Sequence, residues 1–220
     1  MKVKIVKCGP YLVTGGVPLH EKIIKPEGQG YKLVEGNKLP QAETYSLCRC
    51  GRSKSAPFCD GTHTDIKFVG RETASKEPYS DRAELLEGYS VDLADDGRCA
   101  FFRFCHTNEG DVWSLTRDSD TVGKRNLAIK TAGECLSGRL VSLSKDGIQL
   151  EPELKPEIYI MQDPERRVSS SIVVTGKIPI EGQDGHIYEV RNRAALCRCG
   201  SSDDMPFCDA SHVNIMFKDK

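Results

Sequence analysis

Cys48, Cys50, Cys59 and His63 lie in the stretch CRCGRSKSAPFCDGTH. The same four residue types return at the same spacing as Cys197, Cys199, Cys208 and His212 in CRCGSSDDMPFCDASH. Three thiolates and an imidazole suit either a tetrahedral zinc ion or an iron–sulfur cluster. Cys48 and Cys50, separated by one residue, can reach a single iron, while Cys59 and His63, four apart across a turn, can reach a second iron of the same cluster. Structural zinc sites more often pair cysteines two to four residues apart on a knuckle. Pro57 and Gly61 would hold the loop close to inorganic sulfide, whose negative charge calls for backbone N–H donors. Between the repeats, Cys99 and Cys105 in CAFFRFCH and Cys135 in ECLSGRL supply three further thiols, with His106 the one nearby nitrogen donor. Small core residues in an aromatic strand are the other reading of Cys99 and Cys105. Cys8 stands apart and is expected to be an unligated thiol.

Both ligand sets sit inside a longer repeat. LVTGGVPL (12–19) is echoed by VVTGKIPI (173–180), and TDIKF (64–68) by VNIMF (213–217). Two copies of one small domain therefore bracket a different segment. Their β-branched stretches, broken by Gly and Pro, read as short strands. The first copy carries twelve more residues before its first cysteine, in the Gly-rich KPEGQGYKLVEGN, which reads as a longer hairpin. Asp60 and Asp209 are plausible N-caps, so a short helix starting there would put each histidine in its first turn. RETASKEPYSDRAE (71–84) and EPELKPEIYIMQDPERR (151–167) read as polar linkers. In the middle, VWSL and IQLEP are expected as strands and KRNLAIKTAGEC (124–135) as a helix. The resulting boundaries are 1–70, 71–165 and 166–220.

The repeated stretch resembles the CDGSH iron–sulfur domain, whose pattern is C-x-C-x2-S/T-x3-P-x-C-D-G-S/T-H. Cys48 to His63 fits throughout, through Ser53, Pro57, Asp60, Gly61 and Thr62. Cys197 to His212 fits through Ser202, Pro206, Asp209 and Ser211 but has Ala210 where the pattern has glycine. If that position needs a positive φ, alanine is costly there. The resemblance implies a [2Fe–2S] cluster on Cys48, Cys50, Cys59 and His63 and another on Cys197, Cys199, Cys208 and His212. Some members of the family are homodimers in which two such domains pack beneath a β-rich cap, so a chain with two copies is expected to resemble that dimer within itself, as a monomer. One imidazole in place of a thiolate raises the potential above that of an all-cysteine cluster. The middle segment resembles a divergent single-cluster ferredoxin domain: C-x5-C followed by a lone cysteine, with CLSGRL similar to that family's C-P-x-G-x-L and Leu136 in the place of proline. This implies a [3Fe–4S] cluster on Cys99, Cys105 and Cys135, or a [4Fe–4S] cluster with a fourth ligand. The fold class expected is α+β, two β-rich CDGSH domains forming a pseudo-dimer around an inserted ferredoxin-like domain.

Lys and Arg number 31 against 32 Asp and Glu, so no global field draws in nucleic acid. No apolar run is long enough to span a membrane, and the start lacks the core of a secretory signal. Ten cysteines without an export signal favour metal ligation in a reducing compartment, which leads to a cytoplasmic protein. No dinucleotide-type Gly-rich loop or nucleophile elbow is present, so an enzyme is not the leading expectation. The sequence points to a carrier of single electrons between redox partner proteins, with storage and transfer of [2Fe–2S] clusters to acceptor proteins as the alternative.

Overall fold

A computed structural model describes residues 1–219. In the first repeat, Lys2–Ile5 pairs antiparallel with Tyr11–Thr14, and this strand pairs with Thr44–Leu47. The second repeat builds the same three-strand meander from Ile158–Asp163, Val168–Thr175 and Arg193–Leu196. Each meander takes its fourth strand from the other repeat. Ile180–Glu181 runs parallel to Lys2–Ile5 with Val3 opposite Ile180, and Leu19–Glu27 runs parallel to Ile158–Asp163 with Leu19 opposite Ile158. The first repeat's insert folds Gly30–Glu35 back on Leu19–Glu27 and widens the second sheet to five strands.

Alternation along the strands explains the core. Val3, Ile5, Tyr11, Val13 and Leu47 from one sheet meet Ile158, Ile160, Ile172, Val174 and Leu196 from the other in one apolar layer. Each such aliphatic side chain, fully buried, contributes about 1.5–3 kcal/mol. Tyr11–Thr14 alternates buried and half-buried residues, as expected of a sheet with one wet face, whereas Val168–Thr175 is buried along its whole length. The difference comes from the middle segment, whose Ala100, Phe102 and Phe104 pack on Met161, Val173, Ala195 and Cys208. That segment has its own three-stranded sheet of Glu84–Leu86, Asp92–Asp95 and Leu140–Leu143, and helices at Val112–Arg117 and Val122–Gly133. The architecture is α+β. Among the described residues no helix is long and apolar enough to cross a membrane.

Four local expectations are corrected. VWSL is helical, because Asp111 accepts the Ser114 N–H at 2.8 Å and caps the turn. IQLEP forms one isolated bridge, Leu143 with Gln149, before its proline ends the pairing. The segment expected as a linker at 151–167 contains the central strand Ile158–Asp163, flanked by its prolines without being interrupted by them. The short helices begin at Thr62 and Ser211, two residues after the aspartates. Asp60 and Asp209 instead close the turn that leads into each helix, accepting from Thr62 N–H at 3.0 Å and Ser211 N–H at 2.9 Å. The 124–135 helix is present as Val122–Gly133, capped by Thr121.

Candidate metal centres

Each ligand loop hangs from the last strand of its meander. Cys48 N–H donates to Pro57 O at 2.8 Å and Cys59 N–H to Ser46 O at 2.9 Å, and Cys197 to Pro206 O and Cys208 to Ala195 O repeat the pattern at 2.8 and 2.9 Å. Ser53 and Ser202 close the loops by donating to Phe58 O and Phe207 O at 2.6 and 2.7 Å. Asp60 and Asp209 also accept Lys54 N–H and Asp203 N–H, each at 2.8 Å. The two loops are thus built by the same hydrogen bonds.

Within each loop the donors stand in twos. Cys48 and Cys50 sulfurs are 3.8 Å apart and Cys59 Sγ is 3.3 Å from His63 Nδ1. In the second loop the corresponding separations are 3.6 and 3.4 Å. Two sulfurs bound to one tetrahedral metal at about 2.3 Å lie roughly 3.8 Å apart, so each pair has the span of a single metal's ligands. Among the described residues no three Cys, His, Asp or Glu side chains converge closely enough to hold one ion. Each loop is a two-plus-two donor set.

Burial makes three of the six loop thiols depend on a cation. It pushes Cys50 up to about 11 and raises Cys59 and Cys208 above the ordinary thiol value, so their thiolate forms are costly until a metal neutralises them and proton release accompanies loading. Cys197 is the exception, lowered to about 7 by its hydrogen bond with Cys199. His212 is pushed down to about 4, by burial first and the Arg198 charge second, which keeps the imidazole a neutral ligand. The arginines inside the two CRC triplets were not singled out from sequence, although the exact repetition of CRCG was a visible signal. Arg49 donates to Gly9 O, Gly70 O and Val6 O at 2.8–3.0 Å. Arg198 donates to Ser170 O, Met161 O and the Asp219 carboxylate at 2.5–3.0 Å. These buried guanidiniums tie each loop to its own sheet.

The loops also pack on each other. A Cβ added at Gly51 would lie 2.3 Å from Cys199 O, and one at Gly200 would lie 2.6 Å from Cys50 O; both glycines have positive φ, 71° and 79°. The contact is reciprocal, as across a two-fold axis.

Gly61 has φ 91° with nothing within 4 Å of an added Cβ, and Ala210 occupies the equivalent place at φ 70°. Alanine therefore fits there and carries only backbone strain. Strain of about 1–2 kcal/mol, less the unfolded-state entropy that glycine adds back, leaves about 1 kcal/mol. Ala210→Gly is expected to raise stability by that amount and Gly61→Ala to lower it, both read from urea midpoints.

Of the middle thiols, Cys105 and Cys135 pack on Leu93, Val112, Ala132 and Leu140. Burial, with Cys135 and Cys99 adding, pushes Cys105 up to about 11. The Cys99–Cys105 segment is an irregular loop, not a strand, with Phe101 and Arg103 at φ 60° and 70°. Arg139, held by Asp95 at 2.5 and 2.7 Å, is raised by that carboxylate and then by Cys99. His106 is exposed and tilted over Trp113, 6.3 Å between ring centres. Cys8 is exposed in a turn.

Two equivalent loops of three cysteines and a histidine, each braced by a buried arginine, define a protein with duplicated metal-binding domains. The family model for the iron-binding zinc finger of CDGSH type matches residues 8–64 and 169–213. The chain carries two copies of the CDGSH iron–sulfur domain. It is similar to CDGSH iron-sulfur domain-containing protein 3, mitochondrial, of Mus musculus, 44% identical over 43 residues, covering 16% of this chain and 31% of the mouse protein. The Homo sapiens protein of the same name is 44% identical over 43 residues, 34% of its length. The matched part is thus about a third of these curated relatives. No solved structure matches the chain.

Proposed function

We propose that the chain carries one [2Fe–2S] cluster in each CDGSH loop and a third, [3Fe–4S], cluster on Cys99, Cys105 and Cys135, and that it transfers single electrons between redox partner proteins. The observation that carries the reading is the two-plus-two grouping of donors in both loops, which suits a dinuclear centre better than a lone zinc ion. When bound, such a cluster supplies a one-electron change at iron. The chain's own groups do the rest: paired sulfurs and imidazole would hold the iron, while Arg49 and Arg198 brace the loops that carry them. Strand exchange between the repeats and the Gly51–Gly200 contact support an internal pseudo-dimer that is complete as a monomer. The ferredoxin-like reading of the middle segment is supported by Cys105 and Cys135, ahead of and behind the Val122–Gly133 helix, packing against one apolar cluster. A reducing compartment, the cytoplasm in this proposal, keeps the free thiols available for loading.

One observation favours the second reading, transfer of [2Fe–2S] units to acceptor proteins: Cys59 and His63 are only half-buried. Iron and acid-labile sulfide analysis with electron paramagnetic resonance tests the assignment. About seven irons per chain are expected, with a signal from the oxidised protein for the trinuclear centre and further signals only after reduction. Cys105→Ser is expected to remove the oxidised-state signal alone. Colourless, zinc-rich protein overturns the cluster reading, and unchanged iron and sulfide in Cys105→Ser overturns the middle centre.

A further inference from the structure

The two CDGSH loops share a scaffold but differ at the histidine. Arg49 Nε donates to Gly9 O at 2.8 Å and Arg198 Nε to Ser170 O at 2.6 Å, so Gly9 and Ser170 hold the same place in the two repeats. Ser170 Oγ lies 3.0 Å from His212 Nε2, the nitrogen facing away from Cys208. Gly9 has no side chain to offer, yet a Cβ added there would stand 3.6 Å from His63 Nε2. Burial follows the same division. His212 is 2% exposed and Cys208 3%, the latter under Ala100 and Phe102, whereas His63 and Cys59 are both half-buried.

We propose that the chain divides its labour: the first CDGSH site exchanges its cluster with donors from outside and the second retains its own, with Ser170 as the positioning residue that holds His212 in place. This rests on the [2Fe–2S] reading. Exchange is ligand substitution without electron transfer. An incoming donor forms a bond to iron as the imidazole nitrogen leaves with its lone pair, and the cysteinates are replaced in turn. At the first site the ring can swing outward with no hydroxyl to release. At the second, the ring must break a buried hydrogen bond, and the middle segment covers Cys208. Loss of one such bond corresponds to about a tenfold change in rate.

The test follows cluster loss from the full-length loaded protein under a ferrous chelator at fixed pH, by visible absorbance and by iron released. Two phases are expected from the [2Fe–2S] clusters, at least about tenfold apart. Cys59→Ser should abolish the fast phase and Cys208→Ser the slow one. Ser170→Ala should accelerate the slow phase by about tenfold and leave the fast phase alone. Gly9→Ser should slow the fast phase. An added Cβ meets Val6 Cγ1 at 2.9 Å, so that side chain must turn. If Gly9→Ser does not fold, the single-ligand and Ser170→Ala proteins still decide. Coloured protein that loses both clusters at one rate, or a fast phase removed by Cys208→Ser, overturns the division of labour alone. Colourless protein overturns it together with the cluster reading beneath it.

Discussion

Gly51→Ala is expected to destabilise both CDGSH loops at once, by about 3 kcal/mol or more. The added methyl meets Cys199 O at 2.3 Å and Cys199 C at 2.7 Å, and the neighbour is backbone, which cannot rotate away. A positive φ of 71° adds strain of about 1–2 kcal/mol. The steric part is the larger, and it acts on the opposite loop: relief requires Cys199 to retreat from Gly51 and so moves a ligand of the second site. Gly200→Ala should mirror the result, since its methyl meets Cys50 O at 2.6 Å. Urea midpoints should fall in both variants, and cluster absorbance per chain should fall by more than one loop's share. Gly61→Ala, with open space around its methyl, is the control and should keep full absorbance. Loss confined to the loop that carries the substitution would show that the two behave independently and would remove the basis for an internal two-fold contact.

The ligands and the repeat were legible because they are local: a C-x-C triplet, a proline and a D-x-x-H step survive in sequence whatever surrounds them. Strand exchange was not legible. Val-Pro-Leu at 17–19 and Ile-Pro-Ile at 178–180 read as parts of their own repeats, and nothing in either stretch states that Leu19 pairs with Ile158 or Ile180 with Val3. Ile158–Asp163 was hidden for a related reason. Pro152, Pro156 and Pro164 give the segment a linker's composition, yet all three lie outside the paired residues, where a missing N–H costs nothing. VWSL shows the limit of β-propensity over four residues, since one aspartate ahead of it decided for helix. The unequal burial of the two sites had no sequence signal, because it depends on where Phe102 and Phe104 dock. Ser170, inside VSSSIVVT, reads as an ordinary strand serine until His212 is found beside it.

Arg193→Met is expected to release the middle segment from the second repeat at a cost of about 3–5 kcal/mol. Arg193 is 1% exposed at the head of Arg193–Leu196, and its guanidinium reaches only groups of the middle segment. Nε donates to Cys135 O at 2.7 Å, Nη2 to Ala132 O and Leu140 O at 3.0 Å, and Nη1 to Glu151 Oε1 at 2.6 Å. Methionine fills a similar volume but leaves the Glu151 carboxylate without its guanidinium partner and takes one bond from each of three carbonyls, of which Cys135 O keeps Gly138 N–H and Ala132 O keeps Cys135 N–H, so the penalty is electrostatic and not a cavity. Because two of those carbonyls belong to Ala132 and Cys135, the same guanidinium fixes the turn that carries the third middle thiol. The Arg193→Met protein should therefore lose the oxidised-state paramagnetic signal while the first CDGSH site keeps its cluster. Arg193→Lys should recover little, since one ammonium cannot reproduce the planar fork. A wild-type urea midpoint together with an intact middle signal would mean that the other contacts, Phe102, Phe104 and the Arg98–Asp204 and Arg103–Asp163 ion pairs among them, hold the segment without it, and that Arg193 plays no part in placing Cys135.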